Sequence, residues 1–277
     1  MLDVSGKAAV VTGSAGGLGF GFAKRLGEAG ARVVMADIDA RVLGEAAAHL
    51  AASGIEVLAV PTDVTDPEQV QALAERTFEA FGTPSVVCSN AGVSVLGRAW
   101  ELSEADYEWV YGVNVRGAIH MIRSFVPSLI DRGTGHLIVT VSNTAVTARA
   151  RYAAYGSSKH AVLSICESLQ QDLSEIGSAV RVTAVLPGPI RSRMADTESH
   201  RPSHLGSSQI DAAEVEAVRS YLAEHGVDPE VMAAQALDAA SHGTFYCFTH
   251  PKNIAMVHER AHDMERGMLE LRVQAPV

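Results

Sequence analysis

A doubly wound α/β fold, with about seven parallel strands in a Rossmann-like sheet and helices on both faces, is predicted by three features of the sequence. Short apolar runs alternate with helix-period segments from Lys7 to Leu186. The first run ends in a glycine-rich turn that opens into a helical pattern. Finally, 47% of the 277 residues are apolar, as expected when helices cover both faces of a parallel sheet.

The strands are expected near residues 7–12, 31–37, 55–60, 85–89, 136–142, 180–186 and 244–248. Lys7-Ala8-Ala9-Val10-Val11-Thr12 suits a buried parallel strand, and Gly13-Ser14-Ala15-Gly16-Gly17-Leu18-Gly19 leads from it into a helix through Phe22, Leu26 and Ala29. Glycines let the backbone turn tightly and approach a pyrophosphate, whose charge meets amide N–H groups and the new helix dipole. A glycine-rich turn alone fits an ordinary loop equally well. The second run, Ala31 to Ala36, ends in Asp37, where a carboxylate would accept hydrogen bonds from both hydroxyls of an adenosine ribose. The same charge would repel a 2′-phosphate, and neither Gly16 nor Ile38 supplies a base for one, which favours NAD over NADP. Asp37 could instead cap the next helix, a role that Asp39 fills as well.

Tyr155 and Lys159 stand one helical turn apart on one helix face. A phenol ionises near ~10, so a role as base requires help. A cation about 5 Å away at an effective dielectric of ~20 contributes roughly 3 kcal/mol, or about two pKa units. A second cation, such as an oxidised nicotinamide ring, would supply the remainder. The spacing alone also describes a solvated helix face, so its meaning comes from the glycine turn upstream.

With these residues in place, residues 4–250 resemble the short-chain dehydrogenase/reductase family. Its Thr-Gly-x-x-x-Gly-x-Gly pattern matches Thr12, Gly13, Gly17 and Gly19, its Asp-Val pair matches Asp63 and Val64, and its Asn-Ala-Gly matches Asn90, Ala91 and Gly92. Its helix asparagine matches Asn114, its serine thirteen positions before the tyrosine matches Ser142, and its Pro-Gly step matches Pro187 and Gly188. Two positions depart: Ser89 stands where another asparagine is usual, and Ser192 replaces a threonine that bonds the nicotinamide carboxamide. The resemblance implies a dehydrogenase acting on a secondary alcohol or the matching ketone. In it Tyr155 is the base, Ser142 holds the substrate oxygen, Lys159 lowers the tyrosine pKa and binds ribose, and Asn114 holds a relay water. The NAD is expected against Gly13, Gly17, Leu18, Gly19, Asp37, Ile38, Asp63, Val64, Asn90, Ala91, Gly92, Tyr155, Lys159, Pro187, Gly188, Ile190 and Ser192. The same fold without chemistry, as a nucleotide sensor, is the alternative; it has no need of a proton acceptor at position 155.

One domain is expected over residues 1–250, with a substrate lid at about 191–242 and a C-terminal extension at 251–277. Val93, Ser94, Val95, Thr144, Val146, Met194 and Leu205 are expected to line the substrate pocket, and their small or apolar side chains suit a bulky, largely uncharged alcohol. Gly112-Val113-Asn114, Arg201 to Gly206 and Gly226 to Glu230 are similar to the family branch that oxidises benzylic alcohols of lignin-derived aryl ethers. An aryl carbinol is therefore the first expectation, with steroid or terpene alcohols as the alternative.

A net charge of −10 without a Lys/Arg run argues against a nucleic-acid surface. No stretch reaches the ~18 apolar residues of a membrane span, and the first residues carry no secretory pattern, so a cytoplasmic enzyme is expected. Cys88, Cys166 and Cys247 lack metal-ligand spacing and are expected as buried free thiols. His258-Glu259-Arg260-Ala261-His262 fits the zinc-peptidase pattern, but in a chain with 11 histidines and a complete nucleotide motif it reads as a coincidence on a solvated helix; no metal is expected. The family resemblance implies a homotetramer, with a dimer as alternative, paired through a helix at about 153–176 that carries Ala161, Val162, Ile165 and Leu169.

Overall fold

The computed structural model describes residues 2–208, 212–250 and 252–267. Seven parallel strands form one sheet: β1 (Ala8–Thr12), β2 (Arg32–Asp37), β3 (Val57–Pro61), β4 (Val86–Ser89), β5 (His136–Thr140), β6 (Arg181–Leu186) and β7 (Tyr246–Phe248). Their spatial order is β3-β2-β1-β4-β5-β6-β7, so the winding reverses between β1 and β4. All seven expected strands are present, several starting one or two residues later than the apolar runs. β5 stops at Thr140 because the chain swings away from it: Asn143 N–H donates to the Pro187 carbonyl at 2.9 Å.

The helices among the described residues are α1 (Gly17–Glu28), α2 (Ala40–Ala52), α3 (Pro67–Phe81), α4 (Glu104–Tyr111), α5 (Gly117–Arg132), α6 (Ala153–Glu175), α7 (Ala212–His225), α8 (Pro229–Ser241) and α9 (Lys252–Glu265). Local chemistry sets several of the starts. Asp39 accepts from the Val42 N–H, Asp66 accepts from Glu68 and Gln69 with Pro67 following it, and Ser103 and Asp106 form a reciprocal capping box. Asp39 thus takes the capping role and leaves Asp37 at the strand end.

Alternate strand residues feed two apolar layers, as the two-residue period of a strand requires. Val10, Val34, Val87 and Val139 join Leu73 of α3, Phe125 of α5 and Cys166 of α6 on one face. Val11, Met35, Cys88 and Ile138 join Phe22 of α1, Leu43 of α2 and Met232 of α8 on the other. Helix α8 therefore belongs to the core, with Met232, Ala233 and Ala236 fully buried, which corrects the expected lid boundary at 242. The lid candidates are the 3₁₀ turns Met194–His200 and Ser203–Leu205 together with α7. Residues 209–211 of the expected lid, and Pro251 and 268–277 of the expected extension, lie outside the described residues.

Helix α6 runs over almost the predicted span. Half of its expected apolar stripe serves the core, since Val162 is buried and Leu169 packs against the same cluster, while Ala161 and Ile165 are half-buried. Helix α9 lies against α6, with Arg260 Nη1 2.5 Å from His160 Nε2. His258 and His262 are exposed on α9, and among the described residues no group of three or more His, Cys, Asp or Glu is placed to hold a metal. All three cysteines are free and buried, and burial pushes the Cys88, Cys166 and Cys247 thiols up. No helix of the described residues is long and apolar enough to cross a membrane.

Candidate active site

The reversal between β1 and β4 opens a crevice at the carboxyl ends of the strands, the place where open α/β sheets bind ligands. A cavity of about 350 Å³ runs through it. Its floor is the glycine turn, and the close approach there explains the sequence. A side chain on Gly19 would begin 2.0 Å from the Gly13 carbonyl oxygen, and one on Gly13 would begin 2.9 Å from Ala91 Cα, at a φ of +64°. Gly13, Gly17 and Leu18 face the cavity, whereas Gly19 lies behind the turn and lets it close.

Asp37 and Ile38 line the far end of the cavity, with Asp63 and Val64 beside them. Asp37 is held by backbone donors, Ala15 N–H to Oδ2 at 3.0 Å and Asp39 N–H to Oδ1 at 3.1 Å. Asn90 ties β1 to β5: its Nδ2 donates to the Thr12 carbonyl at 3.0 Å and its Oδ1 accepts from Thr140 Oγ1 at 2.9 Å. Ala91, Gly92, Pro187, Gly188, Ile190 and Ser192 complete the expected wall. Sequence reasoning missed Arg193, whose Nη2 lies 3.4 Å from where a Gly16 side chain would begin, a cation poised over the glycine turn. These residues fit a dinucleotide: a turn that only glycine permits, a helix N-terminus beneath it and a carboxylate at the ribose end.

Ser142, Tyr155 and Lys159 converge on the same cavity. Lys159 is 3% exposed, donates to the Thr140 carbonyl at 2.9 Å, and holds its ammonium 5.8 Å from the Tyr155 ring centroid. Burial lowers the Lys159 pKa to about 8. Burial likewise pushes Tyr155 up to about 12, against the Ser142 hydrogen bond, which pulls it down. The expected lowering of the phenol is thus absent from the protein alone. The charge arithmetic counted the ammonium but not the desolvation, and desolvation is the larger effect.

Asn114 does not reach the cavity. It sits in a π-helical turn, Gly112–Arg116, and is 3% exposed. Its Oδ1 accepts from Val93 N–H at 2.9 Å, and its Nδ2 donates to the Val93 carbonyl and to Ser158 Oγ, both at 3.0 Å. The side chain therefore fixes the loop after β4 against α6, and only the backbone of the turn is left to hold a water.

Of the residues expected at the substrate pocket, Val93, Ser94, Thr144 and Met194 line the cavity, whereas Val95, Val146 and Leu205 do not. Val95 is fully buried with Trp109 and Val110, and Leu205 packs on that cluster. Val146 packs against the main core. Their places are taken by residues that sequence reasoning missed, among them Arg149, Tyr152, Thr197, Tyr221 and Leu222. Tyr152 was within reach, since it lies one turn before Tyr155, and its ring centroid is 6.2 Å from that of Tyr155. The 3₁₀ turn Met194–His200 is pinned at its end by a buried ion pair, Arg201 Nη1 to Asp106 Oδ1 at 2.6 Å, with the guanidinium 5.3 Å from the Trp109 ring centroid.

A half-buried phenol beside a buried ammonium at the mouth of a dinucleotide-type crevice is the equipment of an oxidoreductase. The family model described as short chain dehydrogenase matches residues 7–203, and the chain belongs to that family. It is 41% identical over 212 residues to 1-deoxy-11-beta-hydroxypentalenate dehydrogenase of Streptomyces exfoliatus, covering 76% of each chain. It is 31% identical over 255 residues to C alpha-dehydrogenase of a Sphingobium strain, covering 91% of this chain and 83% of that one. Among solved structures, a short chain dehydrogenase/reductase from Burkholderia phymatum in complex with NAD superposes with a TM-score of 0.95 at 33% identity, covering 99% of this chain and 100% of that one.

Proposed function

We propose that this protein is an NAD-dependent dehydrogenase of bulky secondary alcohols, working reversibly on the corresponding ketones. The convergence of Ser142, Tyr155 and Lys159 beside the glycine turn is the observation that carries this reading. NAD, when bound, supplies the acceptor for the hydride that leaves the carbinol carbon. Its identity as NAD is supported by Asp37, by the NAD complex of the Burkholderia phymatum structure, and by the lack of any cation at Ile38.

In this reading Ser142 holds the substrate hydroxyl, and the Tyr155 oxygen takes its proton. Lys159 favours the phenolate and holds the nicotinamide ribose hydroxyls. The π turn around Asn114 offers backbone to a water that connects Lys159 with solvent. Arg193 supplies positive charge to the pyrophosphate. The segment from Met194 through α7 acts as the substrate lid of a domain spanning residues 1–250.

Two relatives, a dehydrogenase named for a hydroxypentalenate and a C alpha-dehydrogenase, support a substrate that is bulky, aryl or alicyclic. Assembly as a homotetramer, or as a dimer, follows from the family resemblance and is measured by light scattering.

The test is NADH formation from a panel of aryl and alicyclic secondary alcohols. Tyr155→Phe is expected to retain NAD binding and to lose turnover by at least ~10³-fold. Near-normal turnover in that variant refutes Tyr155 as the base. Tight NAD binding without turnover of any panel alcohol favours a nucleotide sensor.

A further inference from the structure

The substrate end of the cavity contains a cation that no carboxylate among the described residues neutralises. Arg149 follows the 3₁₀ turn Asn143–Ala145 and lines the cavity. Among the described residues no carboxylate pairs with it, although the neighbouring Arg151 pairs with Glu214 of α7. Arg149 Nε is buried without a hydrogen-bond partner. So is the hydroxyl oxygen of Thr144, a residue only 3% exposed that lines the same cavity. Buried donors in native proteins are almost always satisfied, so two unpartnered donors on residues that line one chamber are hydrogen-bonding capacity that a bound acceptor would use.

The surroundings say what kind of acceptor. Tyr152 and Tyr221 bring phenols to the same wall. Burial pushes the Tyr152 phenol up, and the nearby Arg149 guanidinium pulls against it. The segment that follows Arg149 is anchored: the Arg151 carbonyl accepts from Gly97 N–H at 2.9 Å, and the Arg151 side chain is tied to Glu214 of α7. The part of the wall that α7 supplies beside Tyr221 is apolar, with Val215, Val218 and Leu222. A single planar guanidinium with hydroxyl donors matches a carboxylate, whose two oxygens take parallel hydrogen bonds. A phosphate dianion would leave charge uncompensated here, and a neutral substrate would leave the guanidinium itself uncompensated.

We propose that the substrate is a hydroxy acid, its carboxylate bound by Arg149 with Thr144 and Tyr152 while its carbinol faces Tyr155. The proposal rests on the dehydrogenase reading and narrows it, replacing the uncharged alcohol expected from the sequence. The two tyrosine rings, 6.2 Å apart, place the acid and the reacting carbon on neighbouring parts of one compact molecule.

The test compares a matched pair of product ketones, 4-acetylbenzoate and its methyl ester, binding to the full-length protein loaded with NADH, by calorimetry. The acid is expected to bind about 10- to 100-fold more tightly than the ester, the effect of a charge-assisted hydrogen bond in a desolvated site. In Arg149→Met the acid-to-ester ratio is expected to fall to near unity, and in Arg149→Lys to an intermediate value. Because the ratio is taken within one variant, partial misfolding does not alter it. Equal binding of the two ketones to the wild type, no binding of the acid at millimolar concentration, or an acid preference that survives Arg149→Met overturns the proposal. NADH formation from the matching alcohols is read separately. An acid preference in binding without any turnover sinks the dehydrogenase reading and keeps the carboxylate site, whereas turnover without an acid preference does the reverse.

Discussion

Replacing Lys159 with Met isolates the electrostatic contribution to the proposed base. The Lys159 ammonium lies 5.8 Å from the Tyr155 ring centroid. At an effective dielectric of ~20 that separation corresponds to roughly 3 kcal/mol of attraction to a phenolate, or about two pKa units. Tyr155 starts from about 12 and Lys159 from about 8, both displaced by burial. The coupling is reciprocal, so a phenolate strengthens the lysine's hold on its proton as much as the ammonium favours the phenolate. Oxidation should therefore speed up with rising pH as the phenolate fraction grows, and in Lys159→Met this alkaline limb should move up by about two units. The assay is single-turnover NADH formation at saturating NAD, from about pH 6 upward, with hydride transfer shown to be rate-limiting by deuteration of the carbinol carbon. At about pH 8 the variant should be slower by roughly 100-fold and should recover part of that loss at the alkaline end. A uniform drop with the limb unmoved would refute the electrostatic argument and leave Lys159 as a ribose ligand alone.

Two further predictions concern the scaffold. His136 is buried against Thr183 Oγ1 at 2.8 Å, and burial lowers its pKa from 6.5 to about 4. The unfolded chain then binds the extra proton first, so this contribution is present in full above about pH 6.5 and is lost as pH falls through about 4. Roughly 3 kcal/mol is at stake; urea unfolding should show this acid loss in the wild type and a smaller one in His136→Gln, and equal slopes would contradict it. Breaking the buried Arg201–Asp106 pair by Arg201→Met strands a carboxylate that is 3% exposed and should cost about 3–5 kcal/mol. Thermal unfolding checks this, and an unchanged midpoint would show that the pair does not pin the turn Met194–His200.

Much of the fold was legible because its signals are local. The run from Lys7 to Thr12 can only be a buried strand when a glycine turn follows it, and Gly13 and Gly19 are forced by backbone contacts that no other residue survives. Helix α8 was equally readable in hindsight: Asp228 and Pro229 announce a helix start, and Met232, Ala233 and Ala236 recur on one face. Reading residues 191–242 as one surface lid overlooked that stripe. The substrate wall was less legible because loop residues follow no period. Ser94 faces the cavity and Val95 the core, and nothing in the run Val93-Ser94-Val95 says which. Arg149 and Tyr221 come together only through the approach of α7 to the loop before α6, a long-range contact without a sequence motif.

The chemistry of the pair at 155 and 159 lies between these cases. Spacing put both groups on one face, and convergence with Ser142 followed from the fold. Their proton affinities did not, because a charge–charge term can be written from spacing while desolvation depends on what surrounds the pair. In this cavity the surroundings win, leaving a phenol near 12 beside an amine near 8. A base assembled this way is not poised in the protein alone. It needs a further positive charge in the crevice, and an oxidised nicotinamide carries one while the reduced form does not. The same burial that raises Tyr155 in the protein alone would thus tie its proton affinity to the redox state of a bound cofactor. The phenolate is favoured when alcohol is to be oxidised, and the neutral phenol, a proton donor, when ketone is to be reduced.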